Sequence, residues 1–276
     1  MFNLSIKNIL KKPTTETDLL LANIIHKDKV FVLTHPEYQL DLFQYWYFIY
    51  CLFLLKQGYS VATIIHKKEF FGIEFFVNKH VLIPRPETEL IVEEVLSEIE
   101  NSAKKILLID VGTGSGCIPI SILKNNEINL STIALDISNL ALKVAKKNIA
   151  KHNVKIELIQ SSLMTKILGR DYKTFDEIII TANLPYLTSD QVKHEPTIQK
   201  EPLIALVADE EGLALYRQLL AQISKIFYNK KLLILFEIDP TQSQKIINLA
   251  KKYLPNCKLK IIKDLAGLDR ILKIST

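Results

Sequence analysis

Cysteine is scarce and scattered in this chain. Its three members, Cys51, Cys117 and Cys257, form no CxxC pair. That argues for reduced thiols, and against both a disulfide scaffold and a zinc site, so no metal is expected. A run long enough to cross a membrane is also missing. FQYWYFIYCLFLL (43–55) has Gln44 as its one polar member, but a spanning helix needs about 20 apolar residues. The segment is therefore expected to be a buried helix of a small domain, with part of its aromatic surface open to a partner. MFNLSIKNILKKP at the start lacks the apolar core and cleavage site of a signal peptide, so a cytoplasmic, membrane-free monomer is expected. There is no internal repeat, no low-complexity tract and no long basic tract. A net charge of +5 over 276 residues is too mild to imply nucleic-acid binding, and no direct nucleic-acid partner is expected.

What is present suits a soluble globular protein: 48% hydrophobic and 24% charged residues, in a length that holds one large domain and a small one. Residues 1–66 carry helical spacing around Leu19–Ile24 and again through 43–55, with THPEYQ as the break. They are expected to form a small helical domain. KKEFFGIEFFVNKHVLI (67–83) alternates around Gly72 and reads as a β-hairpin linker. From 84 to 276 strand-like runs alternate with helical ones. The strands are KKILLID (104–110), STIALD (131–136), KIELIQ (155–160), EIIIT (177–181) and KLLILFEI (231–238). Ser138 is a natural N-cap for the helix that begins SNLALKV. Such alternation builds a parallel sheet with helices on both faces. KLKIIKD and DRILKI, joined by a tight turn at Gly267, should close it as an antiparallel hairpin.

The first strand runs into LIDVGTGSGC, with Gly112, Gly114 and Gly116 alternating with Thr113 and Ser115. Glycines there let the backbone turn sharply and approach a ligand, and the next helix offers free N–H groups. The spacing is neither the GxGxxG of dinucleotide binders nor a P-loop. Asp110 stands before the loop. Asp136 closes the next strand, where an acid can bind two ribose hydroxyls. A nucleoside ligand without a pyrophosphate fits, and S-adenosylmethionine is expected, with its amino-acid end near Asp110 and its ribose on Asp136. NAD is the competing ligand, and a plain strand–helix turn the competing structure.

EIIIT ends in ANLPYLT (182–188), a loop that faces the same crevice as GTGSG in an open α/β sheet. A turn needs Asn or Pro but not the tyrosine. An amide or exocyclic amine is a poor nucleophile because its lone pair is delocalised. If Asn183 Oδ1 and the Leu184 carbonyl each accept one N–H, that lone pair is aimed at a methyl donor. Pro185 would fix the turn, and Tyr186 would stack on the flat acceptor. A proline at 184 would keep the required carbonyl. No general base is evident among the six scattered histidines.

Asn183-Leu184-Pro185-Tyr186 resembles the Asn-Pro-Pro-Tyr motif of amino-group methyltransferases acting on adenine N6 or glutamine amides. The flanks are more specific. EFFGIEFFVNKHVLIPRPETELIVEEVL (69–96), with its IPRPxTE signature, KEPLIALVADEEGLALYRQLL (200–220) and DLAGLDRILKI (264–274) resemble the peptide-chain release factor glutamine N5-methyltransferases, the HemK or PrmC family. The resemblance implies a class I S-adenosylmethionine-dependent methyltransferase fold: a seven-stranded, mostly parallel sheet with a C-terminal antiparallel hairpin, plus a helical substrate-recognition domain. It implies donor binding by Asp110, Gly112 to Gly116, Asp136, Leu163 (against the adenine) and Asn183. Substrate binding falls to Asn183, Leu184, Pro185 and Tyr186, with Asn183, Pro185 and Tyr186 catalytic. The implied partner is a class I release factor, methylated at the glutamine of its Gly-Gly-Gln motif. Ser162 stands where the family usually has Asp, and Asp239 where it has glycine. Arg85 and Glu87 read either as structural, in an Arg–carboxylate pair that braces the site, or as direct ligand contacts. The alternatives are an adenine-N6 methyltransferase acting on RNA or DNA and a non-catalytic binding module.

Overall fold

Polar caps set the starts of the N-terminal helices. In the computed structural model, which describes residues 3–100, 102–195, 198–227 and 229–276, these are α1 (Ile6–Ile9), α2 (Thr15–Ile24), α3 (Lys29–Thr34), α4 (Leu42–Lys56) and α5 (Val61–Ile65). Thr14, Asp28, Asp41 and Ser60 each accept a hydrogen bond from the backbone N–H three residues on, satisfying donors that a helix start leaves free. Leu20, Leu21, Val32, Leu40, Phe48 and Ile64 form a core of their own.

The expectation of a buried helix over 43–55 does not hold. Of α4 only Phe48 and Cys51 are buried, whereas Phe43 is 79% and Trp46 65% exposed, with Tyr47, Tyr50 and Phe53 exposed beside them. The helix is apolar around most of its circumference, but α2 and α5 pack against it from one side.

Next comes the hairpin of β1 (Lys67–Phe70) and β2 (Ile73–Phe76). Its turn, Phe71-Gly72, has φ of 51° and 69°, the mirror-image geometry whose twist matches paired strands.

The main sheet contains β3 (Ile106–Val111), β4 (Ser131–Asp136), β5 (Glu157–Gln160), β6 (Glu177–Ala182), β7 (Lys231–Glu237), β8 (Lys258–Lys263) and β9 (Asp269–Ser275), in the order β5-β4-β3-β6-β7-β9-β8. β3 to β7 are parallel, and β9 runs antiparallel to both β7 and β8. Along β3, Leu107, Ile109 and Val111 enter one core while Ile106 and Leu108 enter another, as side chains alternate across a sheet. α6 (Glu89–Ile99), α7 (Cys117–Lys124) and α8 (Asn139–His152) cover the second core with the hairpin, and α11 (Ala214–Ile226) and α12 (Ser243–Tyr253) cover the first. Short α9 (Ser189–His194) and α10 (Asp209–Gly212) lie between β6 and α11.

Buried Asn148 of α8 ties the hairpin to the glycine loop. Its oxygen accepts from Phe76 N at 2.8 Å, and its nitrogen donates to Phe76 O and Ser115 O. Strand order reverses between β3–β4 and β3–β6, a switch point of the kind where open α/β sheets hold ligands.

Candidate active site

A cavity of about 370 Å³ opens beyond the C-terminal ends of β3, β4 and β6, within the size range of small-molecule sites. Its wall includes Gly112, Thr113, Gly114, Ser115, Asp136, Leu163, Asn183, Leu184 and Pro185. Gly112 has φ +76°, and a Cβ there would come within 2.9 Å of Leu184 Cδ2, so the left-handed backbone and the close approach of the second loop both favour glycine at this position. The amides of Gly112 and Thr113 donate to Leu135 O, and Gly114 N donates to Asp136 Oδ2 at 2.9 Å. Asp136 Oδ1 accepts from Ser138 N at 2.8 Å. One carboxylate thus joins the glycine loop to the start of α8, and burial holds its carboxyl above the usual range.

Two of the residues expected at the donor site lie off the wall. Gly116 forms the turn into α7. Asp110 sits behind the loop, 1% exposed, with Oδ1 accepting from the Thr181 hydroxyl at 2.7 Å. Among the described residues, Asp110 Oδ2, Thr113 Oγ1 and Ser115 Oγ are buried without a hydrogen bond of normal geometry, although the Thr113 hydroxyl is near enough to favour the charged form of Asp110. Orphaned buried polar atoms of this kind call for a ligand or water. Burial, with the like charge of Asp136 adding to it, pushes the Asp110 carboxyl up to about 6.

The loop after β6 is held by side chains from far along the chain. Asn183 Nδ2 donates to Thr88 Oγ1 (3.1 Å) and Glu237 Oε2 (2.9 Å), which leaves Oδ1 without a protein partner among the described residues. Thr88 donates to the same Glu237 Oε2 at 2.6 Å, and the Tyr186 hydroxyl donates to Glu237 Oε1 at 3.1 Å. Tyr186 lines a smaller adjoining cavity of about 90 Å³, which shares Arg85, Asn183, Leu184 and Pro185 with the larger one. Burial and the adjacent Glu237 carboxylate raise its hydroxyl far above the ordinary tyrosine value. The Leu184 N–H donates to Tyr216 Oη, so a proline at 184 would lose a buried bond that the sequence did not announce. Leu187 N donates to Leu206 O, Ala208 N to Leu187 O, and Gln242 Nε2 to Tyr186 O. The loop is thereby clamped to residues 206–208 and to the turn after β7.

Arg85 pairs with Glu201 (2.5 Å) rather than with Glu87, and Glu201 Oε2 also accepts from Ile83 N. Asp239 needs no glycine-like backbone: at φ −71° it caps the following turn, accepting from Thr241 N. Sequence reasoning missed Thr88, Glu201, Glu237 and the cavity residues His80 and Ile137. The available signal was a carboxylate, Glu237, ending an apolar strand.

A sheet of this order and direction, with a glycine loop after β3 and an acid closing β4, defines the class I methyltransferases. The Methyltransferase small domain family matches residues 87–199. A methyltransferase from Pyrococcus furiosus superposes with a TM-score of 0.50 at 16% identity, over 82% of this chain and 96% of that one. The hMettl16 catalytic domain, solved with hairpin 1 of the MAT2A 3′UTR, gives 0.59 at 12% identity, over 96% and 92%. At such identities the likeness is one of fold.

The sequence relatives are more specific. The release factor glutamine methyltransferase of Clostridium botulinum is 34% identical over 265 residues, 94% of this chain and 90% of that protein. Those of Flavobacterium psychrophilum (35%, covering 90% and 86%) and Mycoplasma mycoides (37%, covering 85% and 84%) are similar. The chain belongs to the release factor glutamine methyltransferase family.

Proposed function

We propose that this protein methylates the side-chain amide nitrogen of the glutamine in the Gly-Gly-Gln motif of class I release factors, with S-adenosylmethionine as donor. The observation that carries the reading is the Asn183 carboxamide: its nitrogen is tied to Thr88 and Glu237, its oxygen has no partner among the described residues, and the residue lines the cavity. The cavity residues suit the donor. Asp136 offers remaining lone pairs for ribose hydroxyls, Leu163 and Ile137 offer apolar surface for the adenine, and Thr113 and Ser115, which also line the cavity, offer hydroxyls for the polar amino-acid end. When bound, S-adenosylmethionine supplies a methyl group on a positively charged sulfur, an electrophile that needs no further activation.

The chain's own residues then do the positioning. Asn183 Oδ1 and the Leu184 carbonyl each accept one N–H of the substrate amide, so its plane is held and its lone pair faces the donor. Pro185 fixes the turn. Placement of this kind supplies roughly 7–11 kcal/mol of a barrier. Residues 1–66 supply substrate recognition, for which the exposed aromatic face of α4 is the supporting feature.

Mass spectrometry of a release factor incubated with the protein and S-adenosylmethionine tests the proposal. One added methyl on the glutamine of the Gly-Gly-Gln peptide is expected. An unmodified release factor, together with methylated adenine in RNA or DNA, would move the protein to the nucleic-acid reading.

A further inference from the structure

We infer that Glu237 is a positioning residue that dictates which end of the Asn183 carboxamide faces the cavity, because a carboxylate can only accept hydrogen bonds. The inference rests on the amide-methylation reading above. Glu237 is 1% exposed at the end of β7. Three donors converge on it: Thr88 Oγ1 and Asn183 Nδ2 on Oε2, and Tyr186 Oη on Oε1. Turning Asn183 over would put its oxygen 2.9 Å from Glu237 Oε2, two acceptors with no hydrogen between them in a buried site. The carboxylate therefore holds the NH2 inward and leaves Oδ1 for the substrate. Burial raises the Glu237 carboxyl, but the Thr88 and Tyr186 hydroxyls and the nearby Arg270 oppose the rise while Glu87 adds to it.

The hydroxyl of Tyr186 makes the device directional. In a Glu237→Gln variant that hydroxyl still needs an acceptor, so it keeps the new amide's oxygen on its own side. The new NH2 then points at Thr88 and Asn183. Thr88 accepts from it and donates onward, and Asn183 satisfies both donors by turning its oxygen inward. Its own NH2 then meets the substrate's NH2, donor against donor. Every buried group is paired, the fold is kept, and the acceptor grip is lost. Removing the hydroxyl in the same background, with Tyr186→Phe, frees the new amide to turn back.

Two readouts test this on the full-length protein. Steady-state methylation of release factor should show kcat lowered about 10²-fold by Glu237→Gln, in the range seen when one oriented group at a reacting centre is lost. Calorimetric affinity for S-adenosylmethionine should stay within about twofold. Adding Tyr186→Phe should raise kcat at least about fivefold over the single variant, a reversal that a purely structural role would not produce. Independently of activity, NMR hydrogen exchange of the Asn183 side-chain amide should be slow in the wild type and fast in Glu237→Gln. A kcat within about threefold of wild type, no recovery in the double variant, or an Asn183 amide equally protected in both proteins would overturn the inference. A wild type that leaves release factor unmethylated would instead sink the proposed function, and the exchange measurement alone would then decide the role of Glu237.

Discussion

Asp136 joins two functions in one side chain. Its oxygens accept from Gly114 N and Ser138 N, and the residue also lines the cavity. Asp136→Ala should weaken S-adenosylmethionine binding by about 1–3 kcal/mol, the usual cost of leaving buried groups unpaired, and calorimetry would read it directly. Asp110 behaves differently because it is fully enclosed. Its folded carboxyl lies at about 6, above the roughly 3.9 of an unfolded aspartate. The folded state therefore holds the proton more tightly, and this group's contribution to stability is present at low pH and fades as pH rises from about 4 through 6. A shift of that size corresponds to about 3 kcal/mol. Urea unfolding of wild type and Asp110→Asn at pH 4.5 and pH 7 checks it. The wild type should lose stability relative to the variant between the two, and parallel behaviour would refute the burial argument.

The loop after β6 shows how an element can be specified by partners its own sequence does not contain. ANLPYLT names the chemical groups, but their orientation depends on Thr88 at the start of α6, Glu237 at the end of β7, and Gln242 beyond it. Gly212 at the end of α10 lies so close that a Cβ would overlap the Tyr186 carbonyl. The Leu184 side chain packs against Gly112, and its N–H donates to Tyr216 Oη, which in turn donates to Glu237 O. On sequence alone, proline at 184 looks acceptable, since the carbonyl is kept. In the folded chain Leu184→Pro removes a buried donor and a packed side chain. It should cost about 1–3 kcal/mol of stability, read as a lowered urea midpoint, and a neutral result would mean the loop can shift to compensate.

At the scale of the molecule, the exposed aromatics of α4 stand apart from the cavity residues in sequence and in core: the helical region encloses its own cluster, while the cavity is lined from residue 80 onward. If this face takes the protein substrate, Trp46→Ser with Tyr50→Ser should raise KM for release factor about tenfold or more. Donor affinity should be unchanged, because neither side chain lines the cavity. Both residues are exposed, so folding should survive, and an unchanged KM would remove α4 from substrate recognition.

Much of this architecture was legible in the sequence. Strand–helix alternation, the Ser138 cap, the hairpin around Gly72 and the GTGSG loop each depend on neighbours within a few residues, and local pattern carries such information. STIALD forms β4 over the residues expected, and the last hairpin turns at Gly267. KIELIQ pairs only over Glu157–Gln160, because β5 is an edge strand with one neighbour to define it. What only the tertiary structure decided lies in contacts between distant segments. Glu237 meets Thr88 across 149 residues and Asn183 across 54, and Arg85 finds Glu201 rather than its neighbour Glu87. The apolar face of α4 stays open because a helix is buried only where other elements pack on it. Periodicity states which side chains favour leaving water, whereas the topology of the sheet decides which of them meet and which polar atoms are left facing the cavity.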